Sequence, residues 1–310
     1  MSLEEELVRL SPQKETLLSI GVFDGVHLGH KYLLKQLTRQ AREQNLISGV
    51  VTFKQHPRKV LSPQTKLPFL TSLAQKIRFI KDEGIKAVIP LSFALEIAQM
   101  SAHQFVSLLK KHLGMHGLII GPDFALGRNR EGNAVALRKL GQSMDFKVTV
   151  VPPATINGKV ISSTAIRNTL AKGDMKKVYD MIGRYFCLEG RIITGSGRGI
   201  ELGFPTANLD IDPEQALPAD GVYATWTYID NQALQSVTNI GKRPTFNSGE
   251  RTVEVHIIDY RGDLYRQELK IGIIERLRGE KKFSTANELK RQIAEDTKQG
   301  RAILNSSDRN

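Results

Sequence analysis

The chain has 310 residues, 40% hydrophobic and 25% charged, with a formal net charge of +12 at pH 7. That length accommodates two domains of ordinary size, and the composition is that of a globular chain. No stretch approaches a membrane-spanning apolar run, the acidic opening Met1-Ser2-Leu3-Glu4-Glu5-Glu6 lacks a secretory h-region, and the lone Cys187 can form neither an internal disulfide nor a cysteine-built zinc cluster, so a cytoplasmic protein is expected.

The isoelectric point is near 9.7. Residues 1–183 carry 26 Lys and Arg against 14 Asp and Glu, whereas residues 184–310 carry 18 of each. The whole positive excess therefore lies in the first half. A positive field around a cleft concentrates polyanions such as ATP or pyrophosphate. RNA would be drawn to the same field, but the chain has no dense Lys/Arg tract and no RNP-like aromatic string. An ordinary solvated basic surface is an equal reading of the charge alone.

Residues 1–16 read as a short amphipathic or frayed lead-in. From Leu17 to about Ile182, β-type apolar runs alternate with helical spacing. Strands are predicted over Leu17–Phe23, Leu46–Phe53, Lys86–Phe93, Gly117–Phe124 and Lys147–Val151. Helices are predicted over Lys31–Glu43, Ser72–Asp82, Ala102–His112 and Asn133–Met144. Ser101-Ala102-His103-Gln104 reads as a capping box, which makes His103 a first-turn helix residue. The alternation implies a parallel sheet covered by helices, with ligands at the carboxyl ends of the strands.

The first strand runs into Gly21-Val22-Phe23-Asp24-Gly25-Val26-His27-Leu28-Gly29-His30. A strand, a tight turn and a helix start in that order build an anion site, because free N–H groups and the helix dipole both favour phosphate. Gly25 and Gly29 allow close approach, and His27 and His30 fall on one helical face where both imidazoles can donate to one phosphate. Three further loops leave strand ends. They are Lys54-Gln55-His56-Pro57-Arg58, Gly121-Pro122-Asp123-Phe124 with its continuation to Asn133, and Ile161-Ser162-Ser163-Thr164-Ala165-Ile166-Arg167. Each reads equally as a loop, a turn or a helix cap. The hydroxyls and Arg167 are also donors suited to the outgoing phosphates of ATP.

Near Gly183-Arg184 the pattern changes. Short β-type runs follow at Phe186–Ile193, Gly221–Tyr228, Ser236–Ile240, Thr252–Asp259 and Glu268–Leu277, which predicts an antiparallel barrel. Thr285–Ile303 is helical, with Leu289, Ile293 and Ala294 on its apolar face. The glycine-rich stretch from Gly195 leads into Gly203-Phe204-Pro205-Thr206-Ala207-Asn208. There Thr206 and Asn208, two residues apart, project from one face of an extended chain and offer oxygens that suit Mg²⁺ shared with ATP phosphates. A polar strand edge after a proline turn is the plain alternative.

The histidine string resembles the signature of the HxGH nucleotidyltransferases, which bind ATP or CTP and transfer the nucleotidyl group. It most resembles the bacterial FAD synthetases, to whose other blocks the three loops are similar; Leu126 stands where that family usually has Phe. Gly199 to Asn208 closely resembles the riboflavin kinase signature. Pro218–Ala224, residues 239–246, Thr252–Asp259 and Arg276–Phe283 resemble the same family, with Arg266 in place of its usual glycine. The resemblance covers nearly the whole chain and points to the bacterial bifunctional riboflavin kinase/FAD synthetases. It implies a Rossmann-like nucleotidyltransferase domain with a parallel sheet at 1–183 and an antiparallel β-barrel kinase domain with a terminal helix at 184–310.

From the resemblance, His27, His30 and Arg167 act on the ATP phosphates during adenylyl transfer, surrounded by Gly21, Phe23, Asp24, Gly25, Gly29, Ser162, Ser163 and Thr164. His56, Pro57, Asp123 and Phe124 are expected near FMN or the adenosine, and Arg278 near the flavin. In the second half, Gly197, Gly203 and Pro205 are expected at ATP, and Thr206 and Asn208 at Mg²⁺. Glu254 falls on the family's catalytic base for the riboflavin 5′-hydroxyl. The expected partners are riboflavin, FMN and ATP, with Mg²⁺ accompanying ATP and neither nucleic acid nor membrane involved. Three alternatives stay open: retention of only one activity, another phosphorylated alcohol as substrate, and RNA binding. The last explains neither Pro205-Thr206-Ala207-Asn208 nor His27-Leu28-Gly29-His30.

Overall fold

The computed structural model describes all residues except 1, 196–197, 231, 243–250, 263 and 308–310, and for Arg198 only the backbone. Gly197 and the motif positions 243–246 lie outside the described residues. The chain divides into two compact units, Met1–Ser163 and Thr164–Asn310. The sequence pattern, by contrast, changes at 183–184.

The first unit is built on five parallel strands: β1 (Thr16–Ile20), β2 (Ile47–Phe53), β3 (Ala87–Leu91), β4 (Met115–Ile120) and β5 (Lys147–Val150). Their order is β3-β2-β1-β4-β5. Every residue of the central β1 is buried, as a strand covered on both faces requires. Its alternate side chains feed two layers. Leu18 and Ile20 join Val51, Ile89, Phe105 and Leu109 on one face. Leu17 joins Val50, Leu34, Leu37 and Ile80 on the other. The covering helices are α1 (Leu3–Arg9), α2 (Leu28–Glu43), α3 (Leu73–Asp82), α4 (Ala102–Leu113) and α5 (Ala134–Met144).

The lead-in is a capped helix rather than a frayed end. Ser2 and Glu5 form a reciprocal capping box, and Leu3 and Leu7 are buried. Glu6, also buried, accepts from Lys54 Nζ at 2.6 Å, Ser92 N–H at 2.8 Å and Ser92 Oγ at 2.7 Å. Burial pushes its carboxyl pKa upward, but these donors outweigh burial and hold it below the ordinary value. The Ser101–Gln104 capping box forms as predicted, with His103 exposed in the first turn. Several strands stop short of their predicted ends, most of all β1 and β4. β1 gives way to a turn with Phe23 at positive φ, and β4 ends where Phe124 N–H turns back to the Gly121 carbonyl.

The second unit begins within the helix α6 (Ser163–Leu170), continues through α7 (Met175–Ile182), and closes a six-stranded barrel. The strands are β6 (Phe186–Ile193), β7 (Ala207–Asp210), β8 (Gly221–Ile229), β9 (Gln232–Lys242), β10 (Arg251–Ile257) and β11 (Glu268–Arg278). All pairings in the order β6-β7-β10-β9-β8-β11 are antiparallel. Val253, Val255 and Ile257 face inward opposite Ile240, Thr238 and Ser236. The buried hydroxyls of Thr225, Thr227, Ser236 and Thr238 satisfy one another there at 2.7–2.8 Å.

The terminal helix α8 (Ala286–Asn305) packs on the barrel's outer face through Leu304 against Ala224 and Trp226. Its buried residues are Asp296, Gly300 and Leu304, whereas Ala294 is exposed and Leu289 and Ile293 are half-buried. The apolar stripe is too sparse to define the face, so a glycine close to Val237 and an ion-paired aspartate complete it. Among the described residues no helix is long and apolar enough to cross a membrane.

Candidate active sites

The histidine turn sits at the carboxyl end of β1, the central strand. His27 is the N-cap of α2, and its Nδ1 accepts from the His30 N–H at 3.3 Å. In neutral His27 the proton therefore resides on Nε2. The two imidazoles stack with centroids 3.7 Å apart and planes at 19°, and Phe23 lies 5.1 Å from His30 on a tilted ring. A side chain at Gly29 would press on the His27 ring, with Nδ1 at 3.0 Å from the added Cβ, so the ring would have to give way there. Gly25 adopts φ +82° with Leu70 packed over it.

Asp24 has a different surrounding from the one its motif suggests. It is 5% exposed, and its carboxylate accepts from the Leu70 N–H (2.9 Å), the Thr71 N–H (3.1 Å) and Thr71 Oγ1 (3.3 Å). Gly25 N–H in turn donates to Thr71 Oγ1 at 3.1 Å. The Asp24 main-chain carbonyl accepts from Ser163 Oγ at 2.9 Å. Asp24 and Ser163 thus hold the turn, and Ser162 is half-buried in the same approach. Thr164, exposed, and Arg167, half-buried, lie beyond the division of the chain, on a helix whose Leu170 carbonyl accepts from Ala219 N–H at 3.1 Å.

His56 caps the short helical turn Pro57–Leu61, its Nδ1 accepting from Arg58 N–H at 3.1 Å. Asp123 is exposed and its carbonyl accepts from Arg130, while Phe124 packs against the core layer that Phe105 occupies. The sequence reading passed over Lys76. The residue is 5% exposed, and its ammonium donates to the carbonyls of Phe53 (2.6 Å) and Val22 (3.2 Å). Burial lowers its pKa from the ordinary 10.5 to about 8, with the Asp24 charge opposing part of that fall. In sequence it is one more lysine in an amphipathic helix.

On the barrel, Glu254 stands directly opposite Asn208 on one neighbouring strand and Asn239 on the other. Opposite residues in an antiparallel ladder share a face, so the carboxylate is flanked by two amides on the outer surface. Asn239 lies in the stretch that resembles the riboflavin kinases, and its place beside Glu254 depends on register. Asn208 is buried, and a side chain at Gly195 would collide with its amide. Pro205 and Thr206 are exposed beside it, and His256 Nδ1 bonds the Pro205 carbonyl at 2.9 Å, its ring edge-on to Phe204. Gly203 is exposed at φ +84°.

Among the described residues no group of three or more His, Cys, Asp and Glu side chains is arranged to hold a metal. The Thr206 hydroxyl and the Asn208 side-chain carbonyl are hard oxygen donors, the chemistry that magnesium takes. Arg278 is held by Asp296, with Nε–Oδ1 at 2.9 Å and Nη2–Oδ2 at 2.7 Å. Gln292 also donates to Asp296, and the guanidinium lies 5.7 Å from the Phe283 ring centre.

A parallel sheet with a histidine turn at its central strand, followed by a closed barrel with a Pro-Thr-Ala-Asn strand, defines a two-unit nucleotide-using transferase. Known proteins agree over most of the chain. A family model described as FAD synthetase matches residues 10–165, and one described as riboflavin kinase matches 182–304. The bifunctional riboflavin kinase/FMN adenylyltransferase of Escherichia coli (strain K12) is 36% identical over 288 residues, 92% of each chain. The protein of the same name from Pseudomonas fluorescens is 35% identical over 306 residues, 98% of each. A crystal structure from Streptococcus pneumoniae, of a protein named a macrolide-efflux protein, superposes with TM-score 0.89 at 28% identity and 97% coverage of both chains. The chain belongs to the bifunctional riboflavin kinase/FMN adenylyltransferase family.

Proposed function

We infer that this chain makes FAD from riboflavin in two transfers, each at its own site. In the first, the riboflavin 5′-hydroxyl attacks the γ-phosphorus of ATP, the bond to the β-phosphate oxygen breaks, and FMN and ADP result. Glu254 takes the hydroxyl proton, and the flanking amides of Asn208 and Asn239 orient its carboxylate. A divalent cation held by Thr206 and Asn208, with Mg²⁺ the ion the donor set suits, supplies charge neutralisation at the phosphates. Gly203 and Pro205 shape the same segment around ATP.

In the second transfer, a phosphate oxygen of FMN attacks the α-phosphorus of another ATP, and pyrophosphate leaves as FAD forms. Negative charge grows on the bridging and non-bridging oxygens, so positioning and electrostatic stabilisation dominate. His27, through Nε2–H, and His30 donate to those oxygens from the positive end of α2. Ser162, Thr164 and Arg167 serve the triphosphate. His56, Pro57, Asp123 and Phe124 belong to the FMN or adenosine side of the site. Asp24, Ser163, Gly21, Phe23, Gly25 and Gly29 contribute the shape of the turn. Arg278 acts at the flavin edge of the kinase site from its seat on Asp296. We divide the labour at 183–184, where the sequence pattern changes.

The observation that carries this reading is the presence of both built constellations in one chain: the stacked histidine pair on its turn, and Glu254 between two asparagines. Purified protein given riboflavin, ATP and Mg²⁺ should form FMN and then convert it to FAD, as resolved chromatographically over time. FMN accumulating without FAD, including when FMN is supplied directly, would contradict the adenylylation half; no FMN from riboflavin would contradict the kinase half.

A further inference from the structure

The histidine turn is an unfavourable piece of backbone. Phe23 (φ +51°) and Val26 (φ +34°) both lie in the left-handed region, which a bulky or β-branched residue rarely enters. Such conformations persist where surrounding contacts over-determine them. Within the turn itself, Val26 N–H returns to the Phe23 carbonyl at 3.2 Å. A further hold comes from a separate stretch, Leu70 to Lys76.

That stretch reaches the turn on both sides of Phe23. After Phe23, Leu70 and Thr71 engage the Asp24 carboxylate, and Thr71 Oγ1 receives the Gly25 N–H. Before Phe23, Lys76 Nζ and Thr52 Oγ1 both donate to the Val22 carbonyl, at 3.2 and 3.1 Å. The same ammonium donates to the Phe53 carbonyl at the end of β2. Lys76 thereby ties the exits of two adjacent strands to the first turns of α3. A neutral donor with one N–H could not span both carbonyls; an ammonium has three, on a flexible stem. Burying that charge is costly unless it does work that a methionine would not, and the two carbonyls and the nearby Asp24 are what it answers to.

We propose that Leu70–Lys76 is a brace for the histidine turn, and that Lys76 is a positioning residue for adenylyl transfer, fixing where His27 and His30 meet the phosphates. It touches no substrate. The inference rests on the reading that this turn is the adenylyl-transfer site. Small displacements of a positioned donor lower turnover more than ground-state binding, because the charge the histidines meet develops in the transition state.

The test is kinetic, on the full chain, with FMN, ATP and Mg²⁺ supplied. Lys76→Met should lower kcat for FAD formation at least tenfold. Its KM for ATP should stay within about threefold, and riboflavin phosphorylation by the same preparation within twofold. Thr71→Val, which cuts the other arm of the brace, should show the same signature at roughly three- to tenfold, and it decides the matter if Lys76→Met does not fold. His30→Ala is run in parallel. If His30→Ala loses FAD formation while folded Lys76→Met, or Thr71→Val in its place, keeps wild-type kcat, the brace is wrong and the site assignment stands. An equal loss of both activities in the folded variants would mean general destabilisation and would also overturn it. FAD formation by His30→Ala at the wild-type rate would overturn the site assignment and the brace together.

Discussion

Asn208 and Glu254 stand directly opposite each other on β7 and β10, on the outer face of a barrel whose inner face is closed by valine, isoleucine and buried hydroxyls. Asn239 completes the row on the other side of Glu254. A carboxylate in that register has an amide side chain beside it on each neighbouring strand. Glu254→Gln preserves the shape and removes the base. It should reduce FMN formation from riboflavin by about 10²–10⁴-fold, the range of general-base contributions. FAD formation from supplied FMN should be unchanged, which a coupled pyrophosphate assay will show.

Asp296 anchors the terminal helix to the barrel by its pair with Arg278. Its side chain is 4% exposed, and Gln292 donates to it as well. Removing one member of such a pair strands the other charge. Asp296→Ala should lower the stability of the second unit by roughly 3 kcal/mol, the lower end of the range for buried pairs because Arg278 retains some exposure. Denaturant unfolding followed through Trp226, the chain's one tryptophan, reports on that unit.

Lys76 gives the first unit an unusual pH response. Its folded pKa of about 8 lies below the ordinary 10.5, so between those values the unfolded chain binds more protons and stability rises with pH. The full difference amounts to about 3 kcal/mol. Tyr223 and Tyr228 act in the opposite sense: burial raises both to about 12, so their contribution is lost as pH climbs above 10. Denaturation measured at pH 8 and pH 10 should therefore show wild type gaining on Lys76→Met, which lacks the titrating group. Parallel changes in the two proteins would count against a buried, charged lysine.

The sheet and barrel were legible because their strands are either mostly apolar, like Leu17-Leu18-Ser19-Ile20, or alternating, like Val253-Glu254-Val255-His256-Ile257. The site residues that sit on local motifs were legible for the same kind of reason: His27 and His30 are three apart at a helix start. What the sequence could not convey is contact across long separations. Asp24 reads as a ligand in a phosphate turn, yet its carboxylate is taken up by Leu70 and Thr71. Lys76 reads as a solvated lysine, and only the meeting of Val22 and Phe53 at neighbouring strand ends shows why it is buried. Asn239 gains its meaning from register alone. The terminal helix misleads in a different way, because part of its buried face is a glycine and an aspartate, which hydropathy counts as exposed.

One mixing experiment tests both sites together. His30→Ala should convert riboflavin to FMN and stop, whereas Glu254→Gln should leave riboflavin untouched yet adenylylate supplied FMN. Combined in one tube with riboflavin, ATP and Mg²⁺, the two variants should make FAD together, since FMN released by the first is substrate for the second. Restored FAD formation is the result predicted by two separate sites. If the folded variants each lack both activities, and their mixture forms no FAD, the assignment of one reaction to the histidine turn and the other to the barrel is wrong.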